Sequence, residues 1–393
     1  MKTIRTLLAV LASVALAACA SAPAPIAPPP RAQEVFLDSA FQPPSVAIDP
    51  QKALELSPAM RQFADTKLVA SSRRSDPRRE LFSALYNDGL LQLDYDAQAT
   101  RTAAEAFEAR QGNCMSLVLM TAALARHLGI PVRFNSVFVE DNWIRSRGLY
   151  WVSGHVNISL GKSPDAMSKL QMVGEPELLT IDFLPPEQSS KYRSHTIDES
   201  TLIAMFANNR AAESLAAGQL DDAYWWARAA IQTDPRWLSS YNTLAVLYRR
   251  KGLSSAAEST LRLVLEREPL NDQALSNLVI VLKDAGRADE AQVYSEQLAQ
   301  IRPVPPYHYF DLGMEAMRKN DYATARQLFR KEIARAAYVS EFHFWLGVAS
   351  YRLGDLTAAR GEIEKALAHS STTADREIYG AKLAWLDQQR RRN

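Results

Sequence analysis

The first apolar feature of the chain is the run Leu7–Ala18, broken only by Ser13 and preceded by the basic residues Lys2 and Arg5. Its length and its small-residue end are those of an export signal rather than a membrane-spanning helix. Residues 34–100 carry mixed helical patterns, Leu81–Tyr86 among them, which predict helices leading into the next unit. From Thr102 the pattern sharpens. Thr102–Phe107 predicts the start of a short helix, Arg110-Gln111-Gly112-Asn113 a turn, and Met115–His127 a second helix with apolar positions at Leu117, Met120, Leu124 and Leu128. Gly129-Ile130-Pro131 stops that helix. Val132–Val139 then has strand composition, as do Tyr150–Leu160 and Leu178–Leu184, the last closed by Pro185-Pro186. Between the first two strands, 141–147 is mostly polar and reads as an elaborated loop.

Beyond residue 200 the pattern repeats itself. Gly218, Gly252, Gly286, Asn320 and Gly354 follow one another at one constant spacing, and alanine stands five positions after each, at Ala223, Ala257, Ala291, Ala325 and Ala359. Proline stands seventeen after the first three, at Pro235, Pro269 and Pro303. The physical sense is a helical hairpin: a left-handed turn residue, a small residue where two helices approach, and a proline that ends the second helix. Ala211, Ala245, Gly313 and Gly347, seven before the turn, serve the same approach from the first helix, and Val279 interrupts the column. This region resembles the tetratricopeptide repeat in five units, 204–237, 238–271, 272–305, 306–339 and 340–373, and Ala374–Leu386 resembles the solvating end helix of such arrays, ahead of the tail Arg390-Arg391-Arg392. The resemblance implies a superhelix whose concave face takes a peptide or protein. Tyr241, Asn242, Tyr248, Arg249 and Asn277 are candidates for that face, although aromatics at such positions also serve as repeat core.

Leu16-Ala17-Ala18-Cys19 resembles the lipobox of bacterial lipoproteins, in which the cysteine is acylated and becomes the new N-terminus. Cys19 is therefore the expected lipidation site, and two acyl chains suffice for stable anchoring. Ala20 after the cysteine favours the outer membrane, facing the periplasm, over the inner. Residues 19–33, rich in Pro and Ala, read as a stiff tether. The expected organisation is thus signal peptide 1–18, tether 19–33, a middle domain 34–200, repeats 204–373 and an end helix with tail 374–393.

The chain has 393 residues, 47% apolar and 23% charged, a composition that supports more than one folded core. Its net charge is +1, and −1 without residues 1–18, which argues against a nucleic-acid surface. There are two cysteines, Cys19 and Cys114. With the first lipidated, Cys114 has no intramolecular partner in an oxidising compartment, where free thiols are a liability. It stands at a helix start, where free backbone N–H groups and the helix dipole stabilise a thiolate and an oxyanion.

Cys114, His155 and Asp182 follow in the order that cysteine acyl transfer needs: nucleophile, general base and orienting carboxylate. Gly112-Asn113-Cys114, the long apolar helix, Gly129-Ile130-Pro131-Val132-Arg133, Gly154-His155-Val156-Asn157-Ile158 and Thr180-Ile181-Asp182-Phe183 together resemble the transglutaminase-like domain of the papain-type cysteine enzymes. That resemblance implies an α+β domain ahead of the all-α repeat superhelix, with Cys114 as nucleophile, His155 as base and Asp182 as its partner. Many members have an aromatic residue soon after the histidine and proline after the aspartate, where this chain has Val156, Asn157 and Phe183. Tyr95 and Gln92 are candidates for the side-chain donor to the oxyanion. A single cysteine without CxxC or HExxH spacing offers too few ligands for a metal, and no phosphate-cradling glycine motif is present, so no cofactor is expected. Two functions stay open: an envelope-anchored acyl-transfer enzyme, hydrolytic or cross-linking, and a lipid-anchored scaffold whose middle domain only binds.

Overall fold

The computed structural model describes residues 32–68, 76–87, 94–95, 99–138, 143–146, 149–152, 154–162, 178–183, 193–370 and 373–392. Cys19 lies outside the described residues, as do Gln92 and most of the tether. Among the described residues no helix is long and apolar enough to cross a membrane.

Two short helices, α1 (Pro58–Phe63) and α2 (Pro77–Phe82), each open with proline behind an N-cap, Ser57 and Asp76. β1 (Asp94–Tyr95) runs parallel to β2 (Gln111–Gly112). Between them α3 (Ala103–Ala109) starts in a capping box formed by Thr102 and Glu105. Next comes α4 (Cys114–His127), buried continuously from Met115 to Ala125. A helix apolar on every side belongs at the centre of its unit. On one side it meets a four-stranded antiparallel sheet, and on others Met60, Ala64, Leu81 and Leu85 from the N-terminal helices.

The sheet consists of β3 (Val132–Phe138), β6 (His155–Leu160), β7 (Leu179–Ile181) and β8 (Arg193–Ile197), in the spatial order β7-β6-β3-β8. Val156, Ile158 and Leu160 of β6, with Phe134 and Ile181, complete the core around α4. Two sequence expectations change here. The expected single strand Tyr150–Leu160 is interrupted before Gly154: β5 (Leu149–Val152) pairs with β4 (Trp143–Ser146) in a separate hairpin, and only β6 joins the main sheet. Part of the expected loop 141–147 is therefore strand β4. β8 is absent from the sequence expectations, because Arg-Ser-His-Thr-Ile offers almost no apolar alternation; pairing with β3 creates it.

The repeats form five antiparallel pairs: α5 (Glu199–Ala216) with α6 (Leu220–Thr233), α7 (Ser239–Lys251) with α8 (Ser254–Arg267), α9 (Asp272–Asp284) with α10 (Ala288–Ile301), α11 (His308–Arg318) with α12 (Tyr322–Arg335), and α13 (Ser340–Arg352) with α14 (Leu356–Ala368). α15 (Thr373–Arg392) closes the array. Each of the five regularly spaced turn residues has positive φ, from 59° at Asn320 to 84° at Gly218 and Gly252. The alanine after each turn is fully buried. Gly313 shows why the approach column is small: a Cβ there would lie 2.5 Å from the Phe329 ring of the paired helix.

The first repeat shares a core with the middle domain through Leu202, Phe206 and Ala207 of α5. The segment just after the tether does something different. Phe41 lies flat on Tyr224 of α6, and Tyr248 of α7 donates its hydroxyl to the Val35 carbonyl, so the segment straps the first two repeats together. Tyr241 and Tyr248 are fully buried repeat core, not concave-face residues. Arg249 pairs with Asp284 at 2.6 Å.

Candidate functional site

Cys114 is the first residue of α4, half-buried, with a free thiol. Its position is set by the two residues before it. Asn113 caps the helix, its Oδ1 accepting from the Ser116 amide at 3.0 Å and from the Ser116 hydroxyl at 2.9 Å. Gly112 has no room for a side chain, since a Cβ would lie 2.6 Å from Ser116 Cβ. With Asn113 satisfying Ser116, the amides of Cys114 and Met115 are left outside the intrahelical ladder, pointing where a developing negative charge is favoured. The cap is in turn anchored to the repeats. Asn113 Nδ2 donates to Thr100 Oγ1 at 2.8 Å, the Thr100 amide donates to Glu213 at 2.7 Å, and Arg210 donates to the Thr100 carbonyl at 3.1 Å, with both Glu213 and Arg210 lying on α5.

His155 heads β6 and is 3% exposed. Its Nε2 lies 2.6 Å from Oδ1 of Asp182, the first residue past β7. A carboxylate there demands the proton on Nε2, leaving Nδ1 as the ring nitrogen that can serve Cys114. Burial acts to lower the imidazole pKa, but the Asp182 hydrogen bond, the interaction with the Cys114 thiol and the charges of both outweigh it and raise the pKa to about 9. The structure thus brings Cys114, His155 and Asp182 together at the junction of the helix start and the sheet.

Asn157 is the residue that sequence reasoning did not enlist. It donates from Nδ2 to Oδ2 of Asp182 at 2.9 Å and accepts from Asn135 Nδ2 at 2.9 Å. Asn135 also donates to Ser159, whose hydroxyl meets Thr180 at 2.8 Å. The register sets Asn135 opposite Asn157 and Ser159 opposite Thr180, so one row across three strands is polar and mutually satisfied. The signal in the sequence was the departure itself: an asparagine two residues after the histidine, in a strand whose polar His155, Asn157 and Ser159 alternate with Val156, Ile158 and Leu160. The other departure also has a packing role, because Phe183 rests on Tyr86 with ring centroids 5.4 Å apart and the Tyr86 hydroxyl meets Thr121 of α4 at 2.8 Å. The backbone of Tyr95 pairs with Gly112, two residues before Cys114, while its side chain lies outside the described residues. Among the described residues no group of three or more His, Cys, Asp or Glu is placed to hold a metal ion.

A cavity of about 490 Å³ opens beside this site. At one end it is bounded by Val137 and Gly154, the strand neighbours of His155, and at the other by the first helices of the repeats. Asn242 and Asn277 line it.

Residues 66–166 match the transglutaminase-like superfamily, and residues 310–375 match the tetratricopeptide repeat. The chain therefore carries a transglutaminase-like domain followed by a tetratricopeptide repeat region. The first match contains Cys114 and His155, and Asp182 lies beyond its end. Among solved structures the chain is similar to the MamA protein (18% identity over 45% of this chain and 96% of that one, TM-score 0.25). It is also similar to TTC0263, a thermophilic TPR protein of Thermus thermophilus (17%, 46% and 99%, TM-score 0.30), and to Pseudomonas aeruginosa pilF (19%, 48% and 85%, TM-score 0.29). No curated protein matches the chain.

Proposed function

We propose that the chain is an envelope-anchored cysteine acyl-transfer enzyme whose repeats hold a protein or peptide partner. The observation that carries this reading is His155, held by Asp182 at 2.6 Å while its pKa is raised partly by Cys114. In the proposed reaction the Cys114 thiolate attacks an amide carbonyl, and the tetrahedral oxyanion is stabilised by the free amides at the start of α4. The imidazolium of His155 gives its proton to the departing amine, leaving a thioester on Cys114. Water or a second amine, deprotonated by the same imidazole, then resolves the thioester, giving hydrolysis or a new amide bond. A lipid on Cys19 and the Pro/Ala-rich tether hold the protein at the membrane, on the periplasmic face of the outer membrane.

Iodoacetamide labelling of Cys114, followed by mass spectrometry across roughly pH 4 to 9, tests the core of this reading. Fast labelling of the folded protein that slows in folded His155→Ala supports a nucleophile paired with its base. Labelling indifferent to His155, or absent until the protein unfolds, leaves a lipid-anchored repeat scaffold as the better reading.

A further inference from the structure

Thr100 is fully buried and lies outside any helix or strand, yet its amide, its carbonyl and its hydroxyl oxygen are all bonded. The amide donates to Glu213 Oε1 at 2.7 Å and the carbonyl accepts from Arg210 Nη1 at 3.1 Å, both partners on α5. On its other side the hydroxyl accepts from Asn113 Nδ2 at 2.8 Å. The next amide, that of Arg101, donates to the Ser116 hydroxyl at 2.8 Å, and this hydroxyl donates to Asn113 Oδ1 at 2.9 Å. Two residues of irregular chain are thus bonded on one side to the first repeat and on the other to the cap of the helix that Cys114 begins.

A buried backbone N–H and C=O must find partners, which a neighbouring strand or turn normally supplies. For Thr100 they come from side chains 113 and 110 positions further along the chain. The fold of the first repeat holds those side chains in place. Leu202, Phe206 and Ala207 root α5 in the core, and the Arg210 guanidinium stands 5.4 Å from the Trp226 ring of the paired helix α6. Burial raises the Glu213 pKa, against the lowering influence of its Thr100 bonds and of the Arg210 and Arg101 charges, so this carboxyl sits in a costly place that its bonds offset.

The consequence falls on Asn113. Its side-chain amide has a donor end and an acceptor end, and only with Nδ2 on Thr100 does Oδ1 face the Ser116 amide and close the cap. Without the Thr100 acceptor that amide is free to turn, and the direction of the first backbone N–H groups of α4 loosens with it. A misplacement of about 1 Å at a reacting group is enough to slow a reaction strongly.

We propose that Thr100 and Glu213 are positioning residues for the Cys114 nucleophile, which makes the first repeat a working part of the catalytic unit as well as a recruiting module. Thr100 fixes the amide plane of Asn113, and Glu213, with Arg210, fixes Thr100. The proposal deepens the acyl-transfer reading and rests on it.

The test is iodoacetamide labelling of Cys114 in the full chain, read as the factor by which His155→Ala slows the rate in each background, with thermal melts on the same samples. A site that merely admits more reagent raises both rates and leaves this factor alone. Thr100→Val and Glu213→Leu are expected to shrink the factor about tenfold. Thr100→Ser and Glu213→Gln, which keep the accepting oxygens, are expected to restore it. Leu202→Ala, a fully buried core position of α5, is the comparison: it should lower the melting temperature strongly and leave the factor nearly unchanged. Should one variant not fold, the pair at the other position decides. A factor that is unchanged in Thr100→Val and Glu213→Leu, that stays low in the Ser and Gln variants, or that simply follows the melting temperature overturns the positioning role and leaves the acyl-transfer reading intact. Labelling of the unaltered protein that is indifferent to His155 overturns that reading, and the positioning role with it.

Discussion

Asn157 Nδ2 donates to Asp182 Oδ2 at 2.9 Å, two residues along β6 from the histidine that the same carboxylate holds through Oδ1. The carboxylate is thus held through both oxygens by one strand. Asn157 is a positioning residue, and supporting groups of this kind set the ring orientation and tautomer on which the chemistry depends.

Asn157→Leu is therefore expected to slow His155-dependent alkylation of Cys114 about tenfold. Ser159→Ala, further along the same polar row, is expected to lower the melting temperature and leave that rate nearly unchanged. Parallel labelling rates and thermal melts distinguish a positioning role from a merely structural one.

The raised pKa of His155 sets a pH window. A group whose folded pKa, about 9, exceeds its ordinary 6.5 holds its proton more tightly in the folded state. Its stabilisation is fully present below pH ~6.5 and is lost as pH rises toward 9. The unfolding free energy of the wild type minus that of His155→Gln should accordingly fall across this interval, as denaturant titrations at several pH values would show. Any acyl transfer should fall on the alkaline side as the imidazolium is lost, and Asp182→Asn should move that limb down by about one unit or more.

Gly112→Ala places a methyl group against Ser116 Cβ, 2.6 Å away, and so pushes on the residue whose amide and hydroxyl Asn113 holds. Overpacking of this kind costs about 1–3 kcal/mol. The expected result is a folded protein with a lower denaturation midpoint and a Cys114 labelling rate reduced more than the stability loss alone explains. Gly361→Ala, in a repeat helix with open space around it, is the control: the denaturation midpoint should rise slightly, because alanine suits a helix interior better than glycine, and the labelling rate should not move.

Phe41 stacks on Tyr224 with ring centroids 3.9 Å apart and planes 4° from parallel, under the Lys251 ammonium. Ser45 adds a backbone and a hydroxyl hydrogen bond to Asp222. Phe41→Ala should cost about 3–5 kcal/mol at the strap and the first two repeats, with little effect on Cys114 chemistry. Limited proteolysis should then cut near residues 35–50 faster than in the unaltered protein; an unchanged cutting rate would show that the aromatic stack is not what holds the strap.

The repeat phase was legible because each unit solves its geometry locally. A left-handed turn residue, a buried alanine five later and a small residue opposite it recur because two helices must meet within every repeat, and each constraint excludes most side chains at one position. The helix behind Cys114 was legible for a similar reason, its cap and apolar run lying within one short continuous stretch. Long-range pairing decided the rest. β8 gains its structure from β3 and not from its own composition, and the expected strand through Gly154 divides because its two halves find different partners. Nothing near Asn135 or Asn157 in the chain announces that they meet, since that depends on strand register, and no local pattern at Phe41 foretells its contact with the distant ring of Tyr224. Composition and spacing settled the repeat helices and the helix behind Cys114; β8, the β4–β5 hairpin and the side chains that face one another across strands and repeats were settled by packing, because a contact between distant segments is written in neither segment alone.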